Sequence, residues 1–284
     1  RRSSDRTREL ILDTPIRVAH IMGKMVGGGV ESVVMNYYRH IDRSRVQFDF
    51  LVDADSTLVP QREIESLGGR VFVIPPYQRQ IEYQREVRAL LKREGWRVVH
   101  SHVNALSVFP LRAASKAGVP VRIAHSHSTS GEGEYVKNLA KAILKTQANR
   151  YPTARFACSR VAGEWLFGAG AEFDIVYNAI DLRQFSFRSD ARLRIRTELG
   201  LVDEQFVIGH VGRFTKQKNH LFLIEVFEEL LKRRGNAVLV LAGSGEDERY
   251  VKRFVSDRAI SDKVIFLGQR TDVSDLYMAF DTFE

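Results

Sequence analysis

The sequence predicts an α/β protein of two domains, each a parallel sheet covered by helices on both faces. Three observations support this prediction. The chain has 284 residues, whereas one domain usually takes about 100–200. Short apolar runs alternate with longer amphipathic runs, as strands and helices do in turn. A polar stretch at residues 183–200 interrupts this alternation and separates two α/β series.

The first series begins at Ile16. Its predicted strands are residues 16–21, 48–52, 70–74, 97–101, 121–125, 155–157 and 175–177, and its predicted helices are residues 31–41, 60–67, 81–94, 105–117, 135–149 and 161–167. Because a helical run separates most strands from the next, we expect the strands to lie parallel. This half is therefore Rossmann-like.

The second series follows a linker at 183–190 and a charged helix predicted at 191–199. Its predicted strands are residues 206–211, 237–242 and 264–267, and its helices are residues 221–234, 247–259 and 273–280. The expected division is a disordered tail at 1–15, a first Rossmann-like domain at 16–186 and a second at 187–284. The second domain is expected to be truncated, since it holds three βα units and only the start of a fourth.

Composition excludes several protein classes. Apolar residues make up 44% and charged residues 27%, as in ordinary globular proteins. The single cysteine, Cys158, excludes a disulfide scaffold and suits a reducing compartment such as the cytoplasm. No apolar run approaches the roughly 20 residues of a membrane span.

Charge is unevenly distributed. The net charge is +8, and nearly all of the excess falls within residues 16–186. A basic half can bind nucleic acid, an anionic membrane or an anionic substrate, and a solvated surface is the alternative. Nucleic acid is disfavoured because the sequence has no recognised binding module and the charge is not concentrated on one element.

A glycine-rich turn joins the first strand to the first helix. It reads Gly27-Gly28-Gly29-Val30-Glu31, and glycine there lets backbone N–H groups approach a phosphate at a helix N-terminus. Its spacing is not that of a dinucleotide fingerprint, which disfavours a dehydrogenase. A tight turn without a ligand is the alternative.

Four histidines form two pairs, His100 with His102 and His125 with His127. Each pair has i, i+2 spacing at a strand end, so both members should face the same way. No carboxylate or cysteine joins them at ligand spacing, so no metal site is expected. His127 begins a hydroxyl-rich loop, which suits hydrogen bonds to a polar ligand, and a structural role is the alternative.

Two cations follow the first strand of the second half. In Gly212-Arg213-Phe214-Thr215-Lys216-Gln217-Lys218, Arg213 and Lys218 can form an anion clamp beside a helix N-terminus. The alternative is a pair of solvated charges. The turns Gly243-Ser244-Gly245 and Gly268-Gln269-Arg270 end the next two strands, and we expect them to contact a nucleotide base or ribose.

Together these segments resemble the retaining glycosyltransferases of family 4, which have the GT-B fold of two Rossmann-like domains facing a cleft. Gly28-Gly29-Val30-Glu31 is similar to the family's GG-x-E loop, His127-Ser128-Thr129 to its sugar-contacting histidine, Gly212-Arg213 with Lys218 to its G-R-x4-K clamp, and residues 243–245 and 266–268 to its donor-site turns. Asn178-Ala179-Ile180-Asp181 is similar to its N-G-[VI]-D segment, with Ala179 in place of glycine. Residues 36–39 and 41–43 resemble the capsular and exopolysaccharide branch.

The resemblance implies an enzyme that moves a sugar from a nucleotide sugar, usually a UDP-sugar, to a glycan or lipid-linked acceptor. The donor would lie mostly on the second domain and the acceptor on the first. Arg213 and Lys218 would hold the diphosphate and stabilise the leaving nucleotide, while Gly28 and Gly29 would donate N–H groups to it. His127 would bind the donor sugar. No metal, cofactor or protein nucleophile is expected.

Two alternatives stay open. One is another GT-B enzyme acting on a nucleotide sugar, such as a 2-epimerase, although no convincing pair of catalytic carboxylates can be placed. The other is a non-catalytic module that binds a nucleotide sugar or a membrane. The family's paired glutamates, E-x7-E, follow the fourth strand of the second domain, and this sequence reaches Glu284 where that strand is expected to begin. We therefore expect little transfer by these residues alone and an exposed apolar sheet edge in the second domain.

A basic helix predicted at residues 135–150 bears on membrane contact. Lys137, Lys141 and Lys145 repeat every four residues on one face, which favours peripheral contact with an anionic inner membrane surface. A solvated lysine stripe is the alternative.

Overall fold

The computed structural model describes residues 14–128 and 142–284. The chain divides into two compact units, with residues up to 180 in the first and residues 181–284 in the second. Most of the predicted tail and most of the predicted basic helix lie outside the described residues. The division after residue 180 comes earlier than the boundary expected at 186.

The first unit is built on one sheet of seven parallel strands, in the order β3-β2-β1-β4-β5-β6-β7. The strands are β1 (Ile16–Gly23), β2 (Val46–Asp53), β3 (Arg70–Ile74), β4 (Val98–Ser101), β5 (Val121–Ser126), β6 (Ala154–Ala157) and β7 (Asp174–Ile175). The first six overlap the predicted strands over most of their length, whereas β7 shares only Ile175 with the strand predicted at 175–177.

Among the described residues of the first unit, the helices that connect these strands are α1 (Gly29–His40), α2 (Gln61–Ser66), α3 (Gln80–Glu94), α4 (Val108–Ala117) and α5 (Arg160–Phe167). The predicted helix at 105–117 begins as a 3-10 turn, Asn104–Ser107. A short helical stretch also occupies residues 142–145.

Residues on the two faces of the sheet are buried in two separate cores. Ile21 and Val99 pack with residues of α3 and α4, whereas Phe48 and Phe50 pack with Met35 and other residues of α1 and α2. Strands that bury both faces are typical of a parallel sheet with helices on each side.

The second unit has four parallel strands in the order β10-β9-β8-β11. They are β8 (Phe206–Val211), β9 (Ala237–Ala242), β10 (Val264–Gly268) and β11 (Thr282–Phe283), and the helices are α6 (Ser189–Glu198), α7 (His220–Arg233), α8 (Glu248–Asp257) and α9 (Val273–Ala279). β11 matches the expected start of a fourth strand. It forms an edge, on which the Phe283 side chain is exposed.

Each sheet reverses its strand order beside the first strand of its unit. The reversal lies between β1 and β4 in the first unit and between β8 and β11 in the second. In open parallel sheets, ligands bind at the carboxyl ends of the strands beside such a reversal. The turns after β1 and β8 therefore occupy the positions where binding is expected.

A fully buried carboxylate ties β1, β2 and β3 together. Asp49 accepts hydrogen bonds from Arg17 Nε at 2.8 Å, Arg70 Nη2 at 2.7 Å and Trp96 Nε1 at 2.8 Å. Burial raises the pKa of Asp49, but the hydrogen bonds from Arg17, Arg70 and Trp96 outweigh it and hold this pKa at about 2. The ionised form is thus strongly favoured in the folded state.

We predict that Asp49→Asn lowers the free energy of unfolding by about 2–3 kcal/mol at neutral pH, because a charged acceptor of three donors is lost. A depressed pKa contributes stability above pH 4 that disappears as the pH falls towards 2. Urea unfolding from pH 2.5 to 7 should show a larger loss in the wild type than in the variant, in which other carboxylates with lowered pKa values, such as Asp272 and Asp281, still titrate. Glu63→Gln, which breaks an exposed pair with Arg39, should cost at most about 1 kcal/mol. Equal effects of the two substitutions would contradict the role given to Asp49.

Candidate functional site

The turn after β8 presents two cations at the carboxyl edge of the second sheet. Arg213 and Lys218 are both exposed, and α7 begins two residues after Lys218, following Asn219 in a left-handed conformation. The Lys218 stem lies over Gly212, because a Cβ on Gly212 would come within 3.3 Å of Lys218 Cε. The Lys218 ammonium is thereby held close to the turn and to the positive end of α7.

Neither cation is neutralised by a carboxylate within residues 14–128 and 142–284, where no hydrogen bond or ion pair involves the Arg213 or Lys218 side chain. Most other arginines of the second unit do have such partners. Arg192 and Arg196, for example, both bind Asp281. Two unpaired cations beside a helix N-terminus can bind an anion such as a diphosphate.

The turn after β9 holds the turn after β8 in place through backbone contacts. Gly212 N–H donates to Ala242 O at 2.9 Å, and Phe214 N–H donates to Ser244 O at 3.1 Å. A Cβ at Gly243, where φ is +145°, would lie 2.0 Å from Gly212 O. Glycine is therefore needed at position 243 for this close approach.

Gly243, Ser244 and Arg270, which were expected to contact a nucleotide, have different surroundings in the structure. Gly243 N–H donates to Gly268 O at 2.7 Å, so it is not free for a ligand, whereas the Ser244 side chain is exposed. Arg270 donates to Glu198 at 2.6 Å and to Asp272 at 2.7 Å. Two carboxylates therefore neutralise Arg270, whereas Arg213 has no carboxylate partner among the described residues.

The glycine-rich turn after β1 is stabilised from within. The Glu31 carboxylate accepts the Gly28 N–H at 2.6 Å and the Val26 N–H at 2.9 Å. Gly28 was expected to offer its N–H to a phosphate, but in this structure Glu31 takes it. Gly29 is exposed and stays the candidate donor from this turn. Glu31 thus positions the turn.

Five histidine rings lie together at the carboxyl ends of β1, β4 and β5. The two predicted pairs do face one way, with ring centroids 4.1 Å apart for His100 and His102 and 4.0 Å apart for His125 and His127. His20, which sequence reasoning did not include, joins them. Its Nδ1 lies 2.9 Å from His102 Nε2, and no spacing in the sequence connects the two residues.

The imidazoles of this histidine cluster are neutral at pH 7. Burial lowers the pKa of His127 to about 4, and burial together with neighbouring imidazoles lowers that of His125 to about 3. The pKa of His102 is also well below its ordinary value, again chiefly through burial. His127 Nδ1 has no hydrogen-bond partner among the described residues, so it can bond to a polar ligand.

A second cavity of the first unit was not anticipated from the sequence. It measures about 270 Å³ and is lined by Lys24, Asp53, Asp55, Tyr77 and Tyr83 among others. Asp53 is 6% exposed, and its carboxylate forms no hydrogen bond to any described residue. Burial, with a smaller contribution from Asp55, raises the pKa of Asp53 to about 6. A buried carboxylate without partners that lines a cavity can accept hydrogen bonds from ligand hydroxyls.

Comparison with known families matches both units. Residues 28–179 match the family Glycosyl transferase 4-like domain. Residues 191–283 match the family Glycosyl transferases group 1. The first match alone covers more than half of the chain.

Curated relatives extend over most of the chain. EpsF of Bacillus subtilis strain 168 is 36% identical over 282 residues, which cover 94% of this chain and 72% of EpsF. An Escherichia coli UDP-Gal:alpha-D-GlcNAc-diphosphoundecaprenol alpha-1,3-galactosyltransferase is 24% identical, with coverage of 94% and 72%. The capsular polysaccharide biosynthesis glycosyltransferase CapH of Staphylococcus aureus is 25% identical, with coverage of 94% and 74%.

Solved structures share the fold. HepE of Anabaena in complex with UDP-glucose has a TM-score of 0.76 at 20% identity, with coverage of 94% of this chain and 72% of HepE. The glycosyltransferase WaaG has a TM-score of 0.67 at 15% identity, with coverage of 94% and 74%. These likenesses confirm the predicted GT-B class of α/β fold.

We predict that Gly243→Ala lowers the free energy of unfolding by more than about 2 kcal/mol and weakens UDP binding, because the new Cβ must displace the Gly212 carbonyl. Urea unfolding and UDP titration by calorimetry measure the two effects. Gly235→Ala is the matched control, since a Cβ there meets nothing within 4 Å. A Gly243→Ala variant that keeps both properties of the wild type would show that the contact between the turns is unimportant.

Proposed function

The chain belongs to the group 1 glycosyltransferases, and from this we propose that it transfers a sugar from a UDP-sugar to a lipid-linked or polysaccharide acceptor with retention of anomeric configuration. The proposal rests on one observation. Arg213 and Lys218, two cations without a carboxylate partner among the described residues, lie beside the start of α7. A diphosphate leaving group needs this kind of stabilisation.

The relatives support the choice of donor and acceptor. The Escherichia coli relative is named for a UDP-galactose donor and a lipid diphosphate acceptor, and CapH is named for capsular polysaccharide biosynthesis. HepE was solved with UDP-glucose. A UDP-sugar donor and an acceptor that carries a glycan are therefore the substrates we propose.

The proposed reaction needs no nucleophile from the protein. The bond from the anomeric carbon to the phosphate oxygen breaks, and a bond to the acceptor oxygen forms on the same face of the sugar. The acceptor proton passes to the departing phosphate. Arg213 and Lys218 stabilise the negative charge that develops on this phosphate, and Gly29 can add a backbone N–H. The role of His127 as a ligand of the donor sugar stays a prediction.

We assign the acceptor to the cavity that contains Asp53. Its ionised carboxylate would accept hydrogen bonds from two hydroxyls of an acceptor sugar, and Tyr77, which also lines the cavity, offers an aromatic face for the ring. No motif in the sequence predicts this role, because Asp53 is simply the last residue of a strand.

Membrane association is also proposed, as peripheral contact of a cytoplasmic enzyme with an anionic surface. Among the described residues, no helix has both the length and the apolar character required to cross a bilayer. Lys137 and Lys141 of the predicted basic helix lie outside the described residues. Lys145 is described, and its ammonium lies 4.5 Å from the centre of the Trp165 ring. Sedimentation with anionic and neutral vesicles would test the contact.

We predict that Arg213→Ala and Lys218→Ala each lower kcat for transfer by about a hundredfold or more, since each removes a charge that stabilises the leaving diphosphate. Lys216→Ala is the matched control, because Lys216 is an exposed cation of the same turn without an assigned role. It should change kcat less than threefold. The assay uses the full-length enzyme with a panel of nucleotide sugars, and unchanged kcat in both clamp variants would refute the assignment.

We predict that kcat/KM for the acceptor rises with pH through about 6 in the wild type, because the raised pKa of Asp53 leaves its carboxyl protonated below that pH. Asp53→Asn should lower kcat/KM and remove this rise. Asp55→Asn should keep the rise and move its midpoint to lower pH, because the Asp55 charge helps to raise the pKa of Asp53. A wild-type profile that Asp53→Asn does not alter would exclude Asp53 from acceptor binding.

A further inference from the structure

The histidine cluster brings five imidazole rings together around one cavity. Three contacts join its five rings: His20 to His102 at 2.9 Å, His100 to His125 at 3.1 Å and His102 to His127 at 2.9 Å. The cluster lines a cavity of about 290 Å³, the rest of which is formed mainly by apolar side chains from α1, β2 and β6.

Three ring nitrogens of the cluster lack partners among the described residues. They are His20 Nε2, His125 Nε2 and His127 Nδ1. His20 and His125 are each 3% exposed, so solvent does not supply the missing bonds. Buried polar atoms are almost always satisfied, and unpartnered ring nitrogens beside a cavity indicate a ligand. A metal ion can bind any of them that carries the lone pair of its neutral imidazole.

The spacing of the rings suits a metal ion. Two groups of three histidines each offer nitrogens that all lie within 4.8 Å of one another: His20 with His100 and His102, and His102 with His125 and His127. A tetrahedral Zn²⁺ with bonds of about 2.0–2.1 Å holds its ligand nitrogens about 3.3 Å apart. The rings of either group must adjust to that separation when an ion binds.

The second of these groups is the better site. Its members His125 and His127 each have an unpartnered nitrogen. His102 must exchange its contact with His20 or with His127 for the bond to the ion. His127 is half-buried, whereas His102 and His125 are buried, so His127 is the member of this group nearest to solvent. His20 is closed in by Phe48, whose ring centre lies 4.0 Å from its own.

The type of donor limits the type of ion. All the donors of this group are neutral imidazoles, which suit Zn²⁺, Cu²⁺ and Ni²⁺, whereas Mg²⁺ and Ca²⁺ require oxygen. Three histidines with an open fourth position form a known zinc arrangement, and the adjoining cavity leaves room for that fourth ligand. The expectation of no metal rested on the lack of nearby carboxylates and cysteines, which a site of three imidazoles does not need.

We propose that His102, His125 and His127 bind one divalent transition-metal ion, with Zn²⁺ as the representative. An ion held there would draw His127 away from the donor sugar and slow transfer, a consequence that rests on the proposed function.

Binding is tested with the chelator-stripped protein, with Co²⁺ as a spectroscopic probe and Zn²⁺ as its competitor. We expect one equivalent of Co²⁺ with the visible absorption of a tetrahedral site, displaced by Zn²⁺ and not by Mg²⁺. His125→Asn should weaken binding by about a hundredfold or more, while His20→Asn should weaken it by less than about tenfold. His40→Asn, which alters an exposed histidine of the same cavity outside both groups, should weaken binding by less than about threefold.

Circular dichroism establishes that each variant is folded, and UDP titration of the same samples reports on the donor site separately. Absence of a tetrahedral Co²⁺ spectrum in a wild type that still binds UDP would overturn the metal site alone. Loss of Co²⁺ in His20→Asn with retention in His125→Asn would overturn the chosen group. Zn²⁺ should lower the rate of sugar transfer by the wild type and not by His125→Asn. Equal inhibition of both proteins would contradict the proposed effect of the bound ion on transfer.

Discussion

The backbone contact between the turns after β8 and β9 is the constraint on which the proposed donor site depends. Gly212 N–H binds Ala242 O, Phe214 N–H binds Ser244 O, and Gly243 has no side chain to separate them. Arg213 lies between the first two donors, and the Lys218 stem lies over Gly212. Two long, exposed side chains are therefore anchored on a rigid turn, which reduces the entropy that a ligand must overcome.

Parallel strand order explains why polar groups accumulate where they do. In the first unit, the carboxyl ends of β1, β4 and β5 bring His20, His102 and His127 into one row. Asp53 lies at the same edge, at the end of β2. Asp49, in the middle of β2, has a different role, since it binds two arginines and a tryptophan within the fold. The proposed ligand-binding groups thus lie further along the strands than this stabilising carboxylate.

Much of this fold could be predicted from the sequence, because its strands are apolar runs and its turns are marked by glycine. The two histidine pairs were recognisable because residues at i and i+2 share one face of a strand. His20 could not be recognised as part of the cluster, because only the pairing of β1 with β4 brings it close to His102. Nor could the sequence reveal that Glu31 occupies the Gly28 N–H or that Glu198 neutralises Arg270. Such partners depend on tertiary packing, which no local spacing encodes.

The central claim is that side-chain cations of the turn after β8 bind the diphosphate of the donor. Calorimetric titration of the intact chain with UDP in the presence of EDTA tests it most directly. The account predicts one UDP bound per chain without added metal, with an affinity that falls as salt screens Arg213 and Lys218. Binding that appears only after Mg²⁺ is supplied, or that is indifferent to salt, would contradict it.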